Sequence, residues 1–460
     1  MKKIALLTCA ALLCGSAFAQ TIGNKELQEL KGSFKNDSYT SVIQNILTTN
    51  KNIKSLALNN KVNSSVDNFF KYKVDVKGIT DQKSSGRCWM FASMNDLRPA
   101  VMKKYNLDSF DFSHNYNYFW DILEKSNMFL ENIIRTAKAP MDDREVLTYF
   151  QSPIGDGGVW SSFYNVATKY GVVPAEVMPE TEHSNNTSQM MNIITERLRK
   201  GGYDIREISA NKGKAADMEK EKMNVLKDVY RVLAICLGEP PAEFTWRFLD
   251  KNKKIQTVKS TPADFFKGIA GDSYNTENYV MIMNDPTRDY YKMYEVQGDR
   301  NLIEGVNWIY LNLPNSDIKK AVLASIKANE AVVSSCDVGK QSNTKAGSGL
   351  MDPDIYDYNS LLGINLTMDK KARILTRQSG SSHAMLIVAC DTDDNDVPVK
   401  WEFENSWGED AGNKGYLTFT DKWFDEYMFR FVINKKYLDS KALESLGQKH
   451  IMLPIWDYMF

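Results

Sequence analysis

The sequence predicts an α+β fold of two lobes, one helical and one rich in strands, with a mainly helical insertion. Three observations lead to it. From residue 88 onward apolar residues recur at three- and four-residue spacing, the signature of helices with one buried face. Beyond about residue 331 the pattern changes to short apolar runs separated by turn residues, the signature of strands. The reactive side chains are divided between these halves. Cys88 opens a helix, whereas His383 and Asn405 fall on strands, so a site that uses all three must be a cleft.

The elements follow in order. Lys2 and Lys3, the apolar run Ile4 to Leu13 and the small-residue pair around Phe18 in Ala17-Phe18-Ala19 make residues 1–19 a cleavable export leader. Residues 20–70 are polar and rich in Asn, Ser and Lys, and read as an extended or helical arm. Residues 71–184 form the helical lobe. There Met90, Met94, Leu97, Val101 and Tyr105 share a face, Pro99 is expected to kink that helix, and Ser113 caps the next. Asp156-Gly157-Gly158 is a turn, and the helix after it stops at Gly171.

Residues 185–315 make the insertion. A helix over 189–200 is expected to end at Gly201-Gly202, and a charged one over 214–237 ends at Gly238 and Pro240-Pro241. Thr261-Pro262 is a cap with Pro in the first turn, and Tyr279–Met283 and Trp308–Leu313 read as strands. Residues 316–440 form the β-rich lobe. It has a helix over 317–328, then strands at 331–335, 384–390, 399–404, 415–420 and 429–433, with a flexible loop at 341–349. Residues 441–460 are a C-terminal arm.

Composition bounds the function. The chain has 460 residues, 43% hydrophobic and 25% charged, with a formal charge of −1. No basic excess points to nucleic acid or an anionic membrane surface. No run after the leader is long and apolar enough to span a bilayer. Cys88, Cys236, Cys336 and Cys390 remain after the leader. Three of them sit in apolar runs as small hydrophobes, and no C-x-x-C pair suggests zinc. The chemistry below calls for no metal and no cofactor.

Cys88 follows Gln82 by six residues within Gln82-Lys83-Ser84-Ser85-Gly86-Arg87-Cys88-Trp89, and Ser382-His383-Ala384 and Asn405-Ser406-Trp407-Gly408 lie far downstream. A thiolate is the nucleophile, and a helix N-terminus with an adjacent imidazolium stabilises one. His383 would pair with it and later protonate the leaving amine. Asn405 would hold the ring, with Trp407 shielding that hydrogen bond from water. Gln82 and the Cys88 backbone N–H would hold the oxyanion. Gly157 and Gly158 would let a substrate strand approach the backbone. The order Cys, His, Asn is that of papain-type thiol peptidases. His114, at the start of the Ser113 helix, reads as a surface or capping residue.

Several segments carry a narrower resemblance. They are Ser84 to Trp89, Phe112-Ser113 through Phe119-Trp120-Asp121, Asp156-Gly157-Gly158-Val159-Trp160, Lys169 to Pro174, Cys336-Asp337-Val338-Gly339, Glu404 to Glu409 and Leu453-Pro454-Ile455-Trp456-Asp457. Together they resemble the bleomycin hydrolase and bacterial aminopeptidase C family of papain-like cysteine peptidases. The resemblance implies a papain-like fold with helical insertions, cysteine aminopeptidase activity on peptides and a homohexamer. It also implies that the C-terminal arm enters the cleft, where the terminal carboxylate at Phe460 would anchor a substrate α-ammonium. The tail here ends Tyr458-Met459-Phe460, shorter and bulkier than is usual in that family. An endopeptidase with a shortened arm is therefore the alternative. A silent peptide-binding scaffold and a transglutaminase-like transferase rank lower.

Overall fold

The computed structural model describes residues 21–49, 52–65, 67–271, 274–345 and 347–458. The leader at 1–19 and Phe460 lie outside the described residues. Two compact units divide the chain. In the smaller, the arm is helical at Asn24–Ser33, Ser38–Thr49 and Ile53–Ala57, and it includes Tyr358–Gly363. Tyr39 Oη donates to Ser360 O within this unit (3.1 Å).

In the larger unit a helical layer packs on one long sheet. Helix Cys88–Tyr105 runs through Pro99 and ends at Asn106, whose φ of 52° closes it in the left-handed region. It is buried on nearly all sides, including Trp89, Phe91, Asn95 and Arg98, not on one stripe alone. Helix His114–Arg135 is capped by Ser113 Oγ, which accepts from Tyr116 N–H (3.1 Å). Helix Trp160–Tyr170 stops at Gly171, φ 77°.

Ser188–Ala210 and Ala215–Leu237 pack on each other and on His114–Arg135. The first of these does not end at Gly201-Gly202 but continues to Ala210. Both glycines are close-approach residues. A Cβ on Gly201 would lie 2.3 Å from Val225 Cγ2, and one on Gly202 would lie 3.1 Å from Phe129 Cζ. Packing against neighbouring helices outweighs the poor helix propensity of glycine there. His114 is likewise not at the surface. It is buried, and its ring stacks on Phe91 with centroids 3.5 Å apart.

The sheet runs in the order Ile451–Leu453, Lys292–Val296, Ile309–Asn312, Tyr279–Met283, Met428–Asn434, Val332–Cys336, His383–Thr392, Pro398–Glu404, Tyr416–Thr420, Leu350–Met351 and Ser342–Asn343. Three strands from residues 279–312 thus extend the sheet of the β-rich lobe. The stretch 341–349, expected as a flexible loop, contributes Ser342–Asn343, which is buried and paired with Leu350–Met351.

Strand His383–Thr392 explains why its sequence is apolar almost throughout. Ala384, Leu386 and Val388 face the helical layer, while Met385 and Ile387 face a second core with Ile318, Val322 and Trp423. Both faces are covered, so alternation with polar residues is lost. Cys236, Cys336 and Cys390 are free thiols. Among the described residues no helix is long and apolar enough to cross a membrane.

Candidate active site

The sequence before Cys88 builds a rigid turn. Arg87 is fully buried, pairs with Glu180 (2.8 Å) and lies over the rings of Phe91 and Tyr118. Its Nε donates to Ser85 Oγ (3.0 Å). Asp156 ties this turn to the Gly157-Gly158 segment. Its Oδ2 accepts from Gly86 N–H (2.8 Å) and Thr187 Oγ1 (2.6 Å), and its carbonyl accepts from Trp89 Nε1 (2.9 Å). Cys88, the first residue of its helix, is therefore held from both sides. It is half-buried.

His383 begins a central strand and is paired in register with Cys336. Its Nε2 lies 2.8 Å from Asn405 Oδ1. That contact uses one ring nitrogen and leaves Nδ1 for a second partner. Asn405 Oδ1 also accepts from Ser406 N–H (2.8 Å), which orients the amide. Trp407 packs on the imidazole with centroids 4.7 Å apart and planes 30° apart, covering the hydrogen bond.

A short antiparallel contact joins the two halves behind the site. Gln82 N–H donates to Ser406 O (2.9 Å) and Gly408 N–H donates to Thr80 O (3.0 Å). Ser406 Oγ donates to Gln82 Oε1 (2.7 Å), and Gln82 Nε2 donates to Ser85 O (2.5 Å). Nε2 carries two N–H groups, so one remains for a ligand. Gln82 and Asn405 are thereby fixed by the same three-residue segment.

Cys88, His383, Gln82, Gly157, Gly158 and Trp407 all line one cleft of about 950 Å³. Asn405 stands behind His383. Gly158 approaches Trp89 so closely that a Cβ would lie 2.7 Å from Cε2. Gly157 O accepts from Lys125 Nζ (2.6 Å). The described tail, through Tyr458, supplies none of the lining residues. It adds a parallel strand beside Lys292–Val296 and is pinned by an Arg288–Asp457 ion pair and a Tyr458–Thr287 hydrogen bond.

Burial dominates the electrostatics. It pushes the Cys88 thiol up, against N–H groups of Ala384 and Trp89 that favour the thiolate. It pushes His383 down to about 4, against the Asn405 hydrogen bond. Each lone charge is therefore penalised. Moving the thiol proton to the imidazole keeps the pair neutral overall and adds mutual attraction. Glu404, next to Asn405, is raised to about 7 by burial despite Arg98 at 3.4 Å.

Sequence reading missed Asp156 as an organiser, Ser406 as the partner of Gln82, and Asp299, Trp308 and Arg430 as parts of the cleft wall. For Asp156 a signal existed, an acidic residue directly before the close-approach glycines. For the others there was none, because strand pairing across the sheet brings them in.

Comparison with known proteins agrees with this geometry. The Peptidase C1-like family profile matches residues 21–460. Mouse bleomycin hydrolase is 36% identical over 448 residues, spanning 95% of this chain and 98% of the relative. Aminopeptidase C from Lactobacillus delbrueckii subsp. lactis is 38% identical over 401 residues, 86% of this chain and 88% of the relative. A crystal structure of PepW from Lactobacillus rhamnosis HN001 superposes with a TM-score of 0.91 at 34% identity, covering 95% of this chain and 98% of that one. With a helix-borne cysteine and a histidine at the head of a strand lining one cleft, the histidine backed by Asn405, which lies just past the end of strand Pro398–Glu404 and not on it as expected, the chain belongs to the Peptidase C1-like family and is a cysteine-type peptidase.

Proposed function

We propose that the chain is an exported cysteine aminopeptidase that removes N-terminal residues from peptides through an acyl-thioester. The observation that carries this reading is the His383–Asn405 contact of 2.8 Å on the wall of the cleft that also holds Cys88. Cys88 Sγ attacks the scissile carbonyl carbon, and the oxyanion is held by Gln82 Nε2 and the Cys88 N–H. The C–N bond breaks as His383 gives its proton to the leaving amine. Water, deprotonated by His383, then cleaves the thioester and restores the thiol. Gly158 gives the substrate backbone its close approach.

Aminopeptidase action is supported by the relatives named above, among them an aminopeptidase C. Export rests on Lys2, Lys3, the run Ile4 to Leu13 and Ala17-Phe18-Ala19. A homo-oligomer, hexameric by resemblance, is the assembly this reading carries. A second reading, endopeptidase, is favoured by one observation: the tail through Tyr458 is pinned at Arg288 and Thr287 and stays off the cleft lining. Hydrolysis of matched peptides with free and N-acetylated ends separates the two. The free-ended peptide is expected to be cut at its first bond and the blocked one spared. Preferred cleavage of the blocked peptide would make the enzyme an endopeptidase. Cys88→Ala is expected to abolish hydrolysis with the fold retained, and turnover near the native level would refute the nucleophile.

A further inference from the structure

Besides the catalytic pair, four charged side chains among the described residues line the cleft: Lys83, Asp156, Asp299 and Arg430. Three are committed elsewhere. Lys83 pairs with Asp81 (2.5 Å). Asp156 is held by Gly86 and Thr187. The Arg430 guanidinium lies on the Trp308 ring, 3.8 Å from its centroid. The Asp299 carboxylate makes no hydrogen bond or salt bridge among the described residues, and Arg430 and Lys125 act on it only as nearby charges.

Its backbone is nevertheless fixed. Asp299 N–H donates to Val296 O (3.3 Å), and Asp299 O accepts from Trp308 N–H (2.8 Å). The loop is thereby tied to the end of strand Lys292–Val296 and to Trp308, just before strand Ile309–Asn312, and Asp299 lines the same cleft as Met281, Trp308 and Val432. A carboxylate beside apolar surface, with no hydrogen-bond donor among the described residues, is a receptor for a cation that arrives with an alkyl stem.

We propose that Asp299 sets substrate specificity by accepting a peptide ammonium group, the α-ammonium or the side chain of a lysine-like residue. The inference rests on the peptidase reading and adds an anion internal to the wall, independent of the chain terminus. Burial raises the Asp299 carboxyl to about 6, with Arg430 and Lys125 opposing that rise, so it is mainly ionised at neutral pH.

The test uses the full chain and its Asp299→Asn variant. Four tripeptide amides are compared by the concentration at which each protects Cys88 from alkylation: lysine or norleucine in the first position, each with a free or an acetylated N-terminus. The variant is expected to lose about tenfold or more in protection by ammonium-bearing peptides and to change by less than about twofold with the neutral one. A loss that follows the free terminus assigns the α-ammonium, and a loss that follows lysine assigns the side chain. An equal change on all four overturns the proposal.

A second measurement needs no variant. Hexylammonium should protect Cys88 of the wild type from alkylation at about tenfold lower concentration than 1-hexanol, and equal protection overturns the proposal. A wild type that cleaves no peptide and resists alkylation would defeat the peptidase reading and this inference together. An active wild type with an indifferent Asp299→Asn variant would defeat this inference alone.

Discussion

Replacing Gly158 by alanine tests whether the cleft is built as tightly as described. The new Cβ would lie 2.7, 2.9 and 3.1 Å from Trp89 Cε2, Cδ2 and Cζ2. Relief to an ordinary carbon contact of about 3.5 Å requires a movement of about 0.8 Å. Trp89 cannot supply it cheaply. It is 1% exposed, its Nε1 is bonded to Asp156 O, and it adjoins Cys88. The displacement must fall on the glycine loop, on the Trp89 turn, or on both. Overpacking of this kind costs about 1–3 kcal/mol, and misplacing reacting groups by about 1 Å costs about 10²-fold in rate. The expected result is a lowered melting temperature and a kcat/KM reduced about 10- to 100-fold. Gly155→Ala is the control, because nothing lies within 4 Å of its Cβ. It should melt like the parent. A Gly158→Ala enzyme with parental melting and undiminished kcat/KM would refute the packing argument.

Two further predictions concern protons. If the thiol and imidazole ionise as a pair, alkylation of Cys88 by a peptide epoxide is already rapid near pH 6 and level to about pH 8. A lone thiol raised by burial would instead gain about tenfold per pH unit across that window, and His383→Ala should show that slope. A parent enzyme that also shows it would exclude the ion pair. For Glu404, burial raises the folded-state carboxyl to about 7, so between about pH 4.5 and 7 the native state holds a proton that the unfolded chain has lost. Its contribution to stability therefore falls as pH rises through that window, by on the order of 3 kcal/mol, and is level above it. Glu404→Gln should flatten the difference between melting temperatures at pH 5 and pH 7, and an unchanged difference would discount this carboxyl.

What could be read from the sequence was local. The caps at Ser113 and Thr261, the stops at Gly171 and Gly238 and the runs that became strands are all written within a few neighbouring residues. What escaped is long-range. Gly201-Gly202 carries the composition of a helix end, and only Val225 and Phe129 packing against it make it a helix interior. His114 sits at a cap position, yet Phe91 takes its ring into the core. Strand Lys292–Val296 is set by pairing with Ile309–Asn312, and the three-residue strand Ile451–Leu453 by pairing with Lys292–Val296 in turn. That Cys88, His383 and Gln82 belong together was legible because the chemistry proposed for them restricts residue type, and they do line one cleft. Asp299 was not, since an aspartate in a polar loop has many ordinary reasons to be there.

Strand Met428–Asn434 sits between Tyr279–Met283 and Val332–Cys336, bonded to both. During synthesis it is therefore the keystone that arrives late. Until it emerges, the two flanking parts of the sheet have no common neighbour, and the wall carrying Arg430, Phe431 and Val432 does not exist. A nascent chain can display its reactive sulfur long before it has a floor on which to hold a peptide.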